Sequence, residues 1–80
     1  RLARDLYAPL ADYGGDLLLT LETFLAQGAS IEATARALFI HANTVRYRLG
    51  RITDLTGYSP TEPRDQYILR LAVTLGHLLG

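Results

Sequence analysis

Apolar positions recur at helical spacing along almost the whole chain. Leu2, Leu6, Leu10 and Tyr13 follow one another at four, four and three residues, which predicts a first helix. Pro9 falls within it and predicts a kink or an end near Ala8. Gly14-Gly15 breaks the pattern, and Asp16 is the expected N-cap of a second helix, Leu17 to Gln27. Its apolar stripe is Leu17, Leu18, Leu21, Phe24 and Leu25, and Gly28 is expected to close it. Ser30 should cap a third helix, Ile31 to Leu38, whose Ala33, Ala35 and Ala37 allow close approach of a neighbour. After a break at Phe39-Ile40-His41, a fourth helix is expected from about Ala42 to Thr56, ended by Gly57. Val45, Leu49, Ile52 and Leu55 form its buried stripe. Ser59 to Pro63 reads as a loop, with Pro63 suited to the first helical position of a fifth helix that runs to Leu79. No stretch alternates with the period of a strand, and neither repeats nor low-complexity tracts appear.

The fifth helix carries Tyr67, Ile68, Leu69, Leu71, Ala72, Val73, Leu75, Leu78 and Leu79, which cover more than one face. A small domain does not need that much apolar surface on a terminal helix. The helix is therefore either wrapped centrally or used in a subunit or domain contact.

Composition narrows the class. Eighty residues suit one small domain, with 49% apolar residues to build its core. No apolar run approaches the roughly 18 residues that span a bilayer. The N-terminal stretch lacks a small-residue cleavage site, and the start at Arg1 rather than Met suggests a fragment of a longer protein. The absence of cysteine excludes disulfides and thiolate metal sites.

Charge distribution matters more than its sum. The formal net charge is zero, but no acid lies between Ala33 and Thr53, a stretch that holds Arg36, Arg46, Arg48 and Arg51. The remaining four arginines share the rest of the chain with all eight acids. A basic patch in an acidic frame attracts a polyanion locally. Every basic residue is Arg, which suits planar contact with phosphate or guanine.

The third and fourth helices with their short break suggest a helix-turn-helix. With Val45 on the core side, Asn43 and Tyr47 project outward, Arg46 and Arg51 flank them, and Thr44 and Arg48 lie near the core border. Arg46 can reach guanine O6 and N7, and Asn43 matches adenine. Thr44 and His41 can reach phosphate, and Tyr47 can donate through its hydroxyl. Plainer roles compete with these. The arginines could form a solvated face, His41 could be an N-cap or packing residue, and Tyr47 could cover arginine stems. Arg48 could pair with another helix instead of DNA. His77, with no second ligand one turn away, reads as structural. Two distant histidines, no cysteine and no glycine-rich phosphate loop leave no catalytic, metal or cofactor arrangement.

The run His41-Ala42-Asn43-Thr44-Val45-Arg46-Tyr47-Arg48-Leu49 resembles the H-x-N-T-[VL]-x-Y-R-L signature of PucR-type bacterial transcription regulators, which include the sugar-diacid regulators. Leu19-Thr20-Leu21 is similar to an upstream L-x-T-L segment. Ser30, Ile31, Thr34, Ala35 and Leu38 resemble the S-[LI]-x-x-T-A-x-x-L segment, and Arg51, Ile52, Leu55, Thr56 and Gly57 resemble R-I-x-x-L-T-G. The resemblance covers about Asp16 to Leu75. It implies a C-terminal, Fis-like helix-turn-helix in a cytoplasmic protein, sequence-specific binding to double-stranded DNA, a homodimer, and an upstream sensory domain. Ala42 departs from the pattern, because many members carry Arg there, and the change removes an expected DNA contact. Phe39 stands where many helix-turn-helix proteins place Gly, so a turn without a left-handed residue is expected, with Phe39 packed inward.

These readings converge on a single all-α, five-helix domain over residues 1–80 that binds DNA through a recognition helix at about 42–56 in the major groove. Arg46, Asn43 and Thr44 are the expected base-edge contacts; Tyr47 joins them on the exposed face. Arg36, His41, Arg48 and Arg51 are expected at phosphates or in support. The alternative is a helical dimerisation or protein-interaction module, carried by the first and fifth helices, without direct DNA readout.

Overall fold

The computed structural model describes residues 3–13 and 15–79. Five helices follow one another: α1 (Ala3–Asp12), α2 (Leu17–Ala26), α3 (Ile31–Leu38), α4 (Ala42–Thr56) and α5 (Pro63–Leu79). No strand occurs among the described residues. Leu2 and Gly14 of the expected pattern lie outside them.

The order of contacts follows from which helix is most apolar. α2 buries Leu17, Thr20, Leu21, Phe24 and Leu25, half of its length. Among the described residues it is the one helix that packs against all four others. α3 and α4 pack on each other and on it, while α5 packs most extensively on α1. Leu10, Leu21, Phe24, Leu25, Val45, Leu49, Ile52 and Leu69 meet in one core. Leu55, the last member of the expected α4 stripe, is only half-buried.

Local chemistry sets most helix ends. The Ser30 hydroxyl accepts the Ala33 N–H at 3.0 Å and caps α3. Gly28, with φ 68°, closes α2, where Ala29 N–H donates to the Phe24 carbonyl at 2.9 Å. Gly57, with φ 78°, ends α4. Pro63 opens α5. On α3, Ala35 is buried but Ala37 is exposed, and the fully buried neighbour is Thr34, whose hydroxyl donates to the Ser30 carbonyl at 2.7 Å.

Several expectations are corrected. Pro9 does not end α1, which continues to Asp12. Burial of Leu6 and Leu10 on either side of the proline carries the helix through, and Tyr13 N–H donates to the Pro9 carbonyl at 3.1 Å. Tyr13 itself stays outside the core. Asp16 does not cap α2 with its side chain, because its backbone is left-handed (φ 58°). Its carbonyl instead accepts both the N–H and the hydroxyl of Thr20, at 3.0 and 2.8 Å.

Phe39 is neither right-handed nor inward. Its φ is 57° and the residue is 94% exposed. The reason lies in the end of α3. Phe39 N–H donates to the Arg36 carbonyl at 3.3 Å and Ile40 N–H to the Ala35 carbonyl at 3.0 Å. That pair of bonds needs a left-handed residue between them, which costs a non-glycine residue about 1–2 kcal/mol. The turn sends Ile40, not Phe39, against the core.

α5 is not wrapped centrally. Its core face holds Leu69, Ala72 and Gly76, while Tyr67, Leu71, Leu75, Leu78 and Leu79 face outward. Gly76 lets α1 come close: a Cβ there would stand 2.1 Å from Tyr7 Cδ1. His77 pairs with Glu22 of α2 and meets the Tyr7 ring edge-on at 5.7 Å, a structural bridge between α1, α2 and α5.

Candidate nucleic-acid interface

The first turn of α4 is organised by His41. Its Nδ1 accepts the Asn43 N–H at 3.0 Å, and its carbonyl accepts the Thr44 N–H at 3.0 Å. An accepting Nδ1 leaves the ring proton on Nε2 as a donor. His41 is therefore both the N-cap and an exposed polar group. Burial of Val45, Leu49 and Ile52 rotates the opposite face of α4 outward. Asn43, Arg46, Tyr47 and Gly50 are exposed on it, and Thr44 sits half-buried at its border.

Arg46 is held by two neighbours. Its Nη1 donates to Asn43 Oδ1 at 2.8 Å, and its Nη2 lies 3.9 Å from Glu32 Oε2. Asn43 thus holds the guanidinium through its side-chain oxygen. Glu32 was not foreseen as part of this surface. It stands one residue before the acid-free run, and fourteen positions from Arg46 no local pattern signals their meeting. Arg36 is exposed on α3 and shares an open recess with Glu32, Phe39, His41, Ala42 and Arg46.

The other two arginines turn away from this group. Arg48 donates through Nη1 to Thr20 Oγ1 at 3.2 Å and so ties α4 to α2. Arg51 donates to Asp54 Oδ2 at 3.0 Å and lies over the Tyr13 ring, 5.4 Å from its centre. The side-chain interaction with Tyr13, and then the Asp54 carboxylate, push the Arg51 guanidinium pKa further up. Asp54 is exposed, so the acid-free face of α4 ends before its last turn.

The structure therefore brings together Arg36, His41, Asn43, Arg46 and Tyr47 around the start of α4, with Thr44 at the edge. A helix start that offers a fork-shaped donor, an amide side chain and an imidazole N–H has the chemistry to meet phosphates and base edges. Residues 17–75 match the PucR C-terminal helix-turn-helix domain. The chain belongs to this family. PucR-type relatives include the carbohydrate diacid regulator of Escherichia coli, 40% identical over 91% of this chain and 20% of its own length. The purine catabolism regulatory protein of Bacillus subtilis is 40% identical over 80% of this chain and 12% of its own length. An uncharacterized protein of Mycobacterium tuberculosis is 58% identical over 96% of this chain and 19% of its own length. The crystal structure of a regulator of polyketide synthase expression from Bifidobacterium adolescentis superposes with a TM-score of 0.83 at 39% identity. That match covers 95% of this chain and 34% of the other. The chain thus spans about a fifth or less of the curated relatives named here. The PucR-type assignment makes this a helix-turn-helix domain of transcription regulators and is consistent with DNA binding. Two of these relatives, from Escherichia coli and Bacillus subtilis, are regulators by name. Among the described residues no cluster could hold a metal ion, and no helix is long and apolar enough to cross a membrane.

Proposed function

We propose that this chain is the sequence-specific DNA-binding domain of a bacterial transcription regulator, with α4 entering the major groove. The observation that carries this reading is the exposed Asn43–Arg46–Tyr47 face, joined by Arg36 and His41 in a stretch without acids, on a PucR-type helix-turn-helix. Arg46 reads guanine, Asn43 reads adenine, and Thr44 and Tyr47 contact neighbouring edges. Arg36 and His41 meet phosphates beside this face, and Arg51, further along α4, meets a separate phosphate by leaving Asp54. Arg48 supports the site by holding α4 on α2. Glu32 acts as the counter-charge that Arg46 leaves on binding.

The chain works as one domain, the C-terminal part of a longer cytoplasmic regulator with a sensory region upstream; the small share of each relative that it covers supports this. As a homodimer it would present two α4 helices about 34 Å apart, one DNA turn. Selection of bound fragments from random DNA tests the reading. Enrichment of a defined, two-fold symmetric site is expected, and recovery of unrelated sequences would overturn it.

A second reading, an interaction module without DNA readout, draws on the outward apolar residues Tyr67, Leu71, Leu75 and Leu78 of α5. It predicts self-association with no selected site.

A further inference from the structure

Phe39 serves neither the core nor the turn. The residue is 94% exposed, and the left-handed backbone it adopts suits glycine better. It stands at an open recess of about 810 Å³. Ala35, Ile40 and Ala42 give it apolar lining, Arg36 and Arg46 add two cations, and Glu32 adds one carboxylate beside Arg46. With two cations against one acid, this lining suits a ligand that carries apolar and anionic groups side by side, the anion taking the place of Glu32 at Arg46. The major groove of a duplex meets both conditions, with phosphates at its rim and the C5-methyl group of thymine inside.

We propose that Phe39 is a further specificity residue, whose ring packs against the C5-methyl of one thymine at the edge of the site read by α4. The inference rests on the DNA-binding reading above. It explains why a bulky apolar side chain occupies a strained, solvent-facing turn between Arg36 and His41. The contact is uncharged, so it adds sequence preference without adding counterion release.

The test is a fluorescence-anisotropy titration of the 80-residue chain against its selected duplex, with each thymine replaced in turn by uracil, which lacks the methyl. Wild type, Phe39→Gly and Arg46→Ala are compared. Wild type should lose about fourfold in affinity at one thymine, the value of one buried methyl. Phe39→Gly should bind the unmodified duplex more weakly, keep the wild-type salt slope, and ignore that replacement. It should melt no lower than wild type, because glycine relieves the left-handed turn. If it does melt lower, Phe39→Asn, which also tolerates this backbone, takes its place. Wild-type binding that is indifferent to every replacement overturns the proposal, as does a glycine or asparagine variant that keeps the sensitivity. If Arg46→Ala is weakened in the same series, only the Phe39 inference fails. If wild type prefers no sequence at all, the DNA-binding reading fails with it.

Discussion

The Arg48 guanidinium donates to the hydroxyl of Thr20, 28 positions away in sequence, across the seam between α4 and α2. Thr20 is fully buried, and the same hydroxyl donates to the Asp16 carbonyl. One hydroxyl thus joins the second helix's first turn to the helix that carries the candidate reading face. Thr20→Val keeps the shape but removes both bonds. It should cost about 1–3 kcal/mol, the penalty for stranding the half-buried charged donor of Arg48, while the Asp16 carbonyl keeps the backbone N–H of residue 20. Urea unfolding of Thr20→Val, Arg48→Ala and the double variant measures it, and the two changes should be clearly non-additive. Additive losses would mean that the bond contributes nothing.

That bond also marks where sequence reasoning stops. Helix ends at Ser30, Gly28, Gly57 and Pro63 are legible because each depends on a residue and its immediate neighbours. The inward stripe of α4 is legible because Val45, Leu49 and Ile52 repeat at the helical period. Asn43, Arg46 and Tyr47 then fall on the opposite face by geometry alone. Partners far apart in sequence are not legible, and Arg48 with Thr20 and Arg46 with Glu32 are such pairs. Pro9 misleads because tertiary burial of Leu6 and Leu10 overrides a local breaker. Phe39 misleads because the hydrogen bonding of one turn decides whether residue 39 or 40 points inward.

Glu32 places a carboxylate 3.9 Å from the Arg46 guanidinium, with both side chains largely exposed. Phosphate must compete with it. Glu32→Gln should raise DNA affinity roughly fivefold at low salt, in line with about 1 kcal/mol for a unit charge at 4 Å in water. The gain should fade as salt rises, and the melting temperature should not change. An anisotropy titration at two salt concentrations checks this; unchanged affinity at low salt would remove Glu32 from the interface.

Gly76 and Tyr7 fit without a gap. A methyl group at residue 76 would stand 2.1 Å from Tyr7 Cδ1. Despite alanine's higher helix propensity, Gly76→Ala should therefore destabilise the chain by about 1–3 kcal/mol through overpacking. Tyr7→Ala in the same chain should recover part of that loss. Thermal melting of the two single variants and the double variant tests the pair. A Gly76→Ala chain as stable as wild type would show that α1 shifts freely on α5.

The most direct measurement is affinity for the selected operator as a function of salt, taken for wild type, Arg46→Ala and Arg51→Ala. Arg46→Ala should lose about 1–3 kcal/mol and its preference at one guanine. Arg51→Ala should weaken all sequences alike and lower the salt slope by about 0.9. Equal operator binding by wild type and both variants would contradict a reading face on α4.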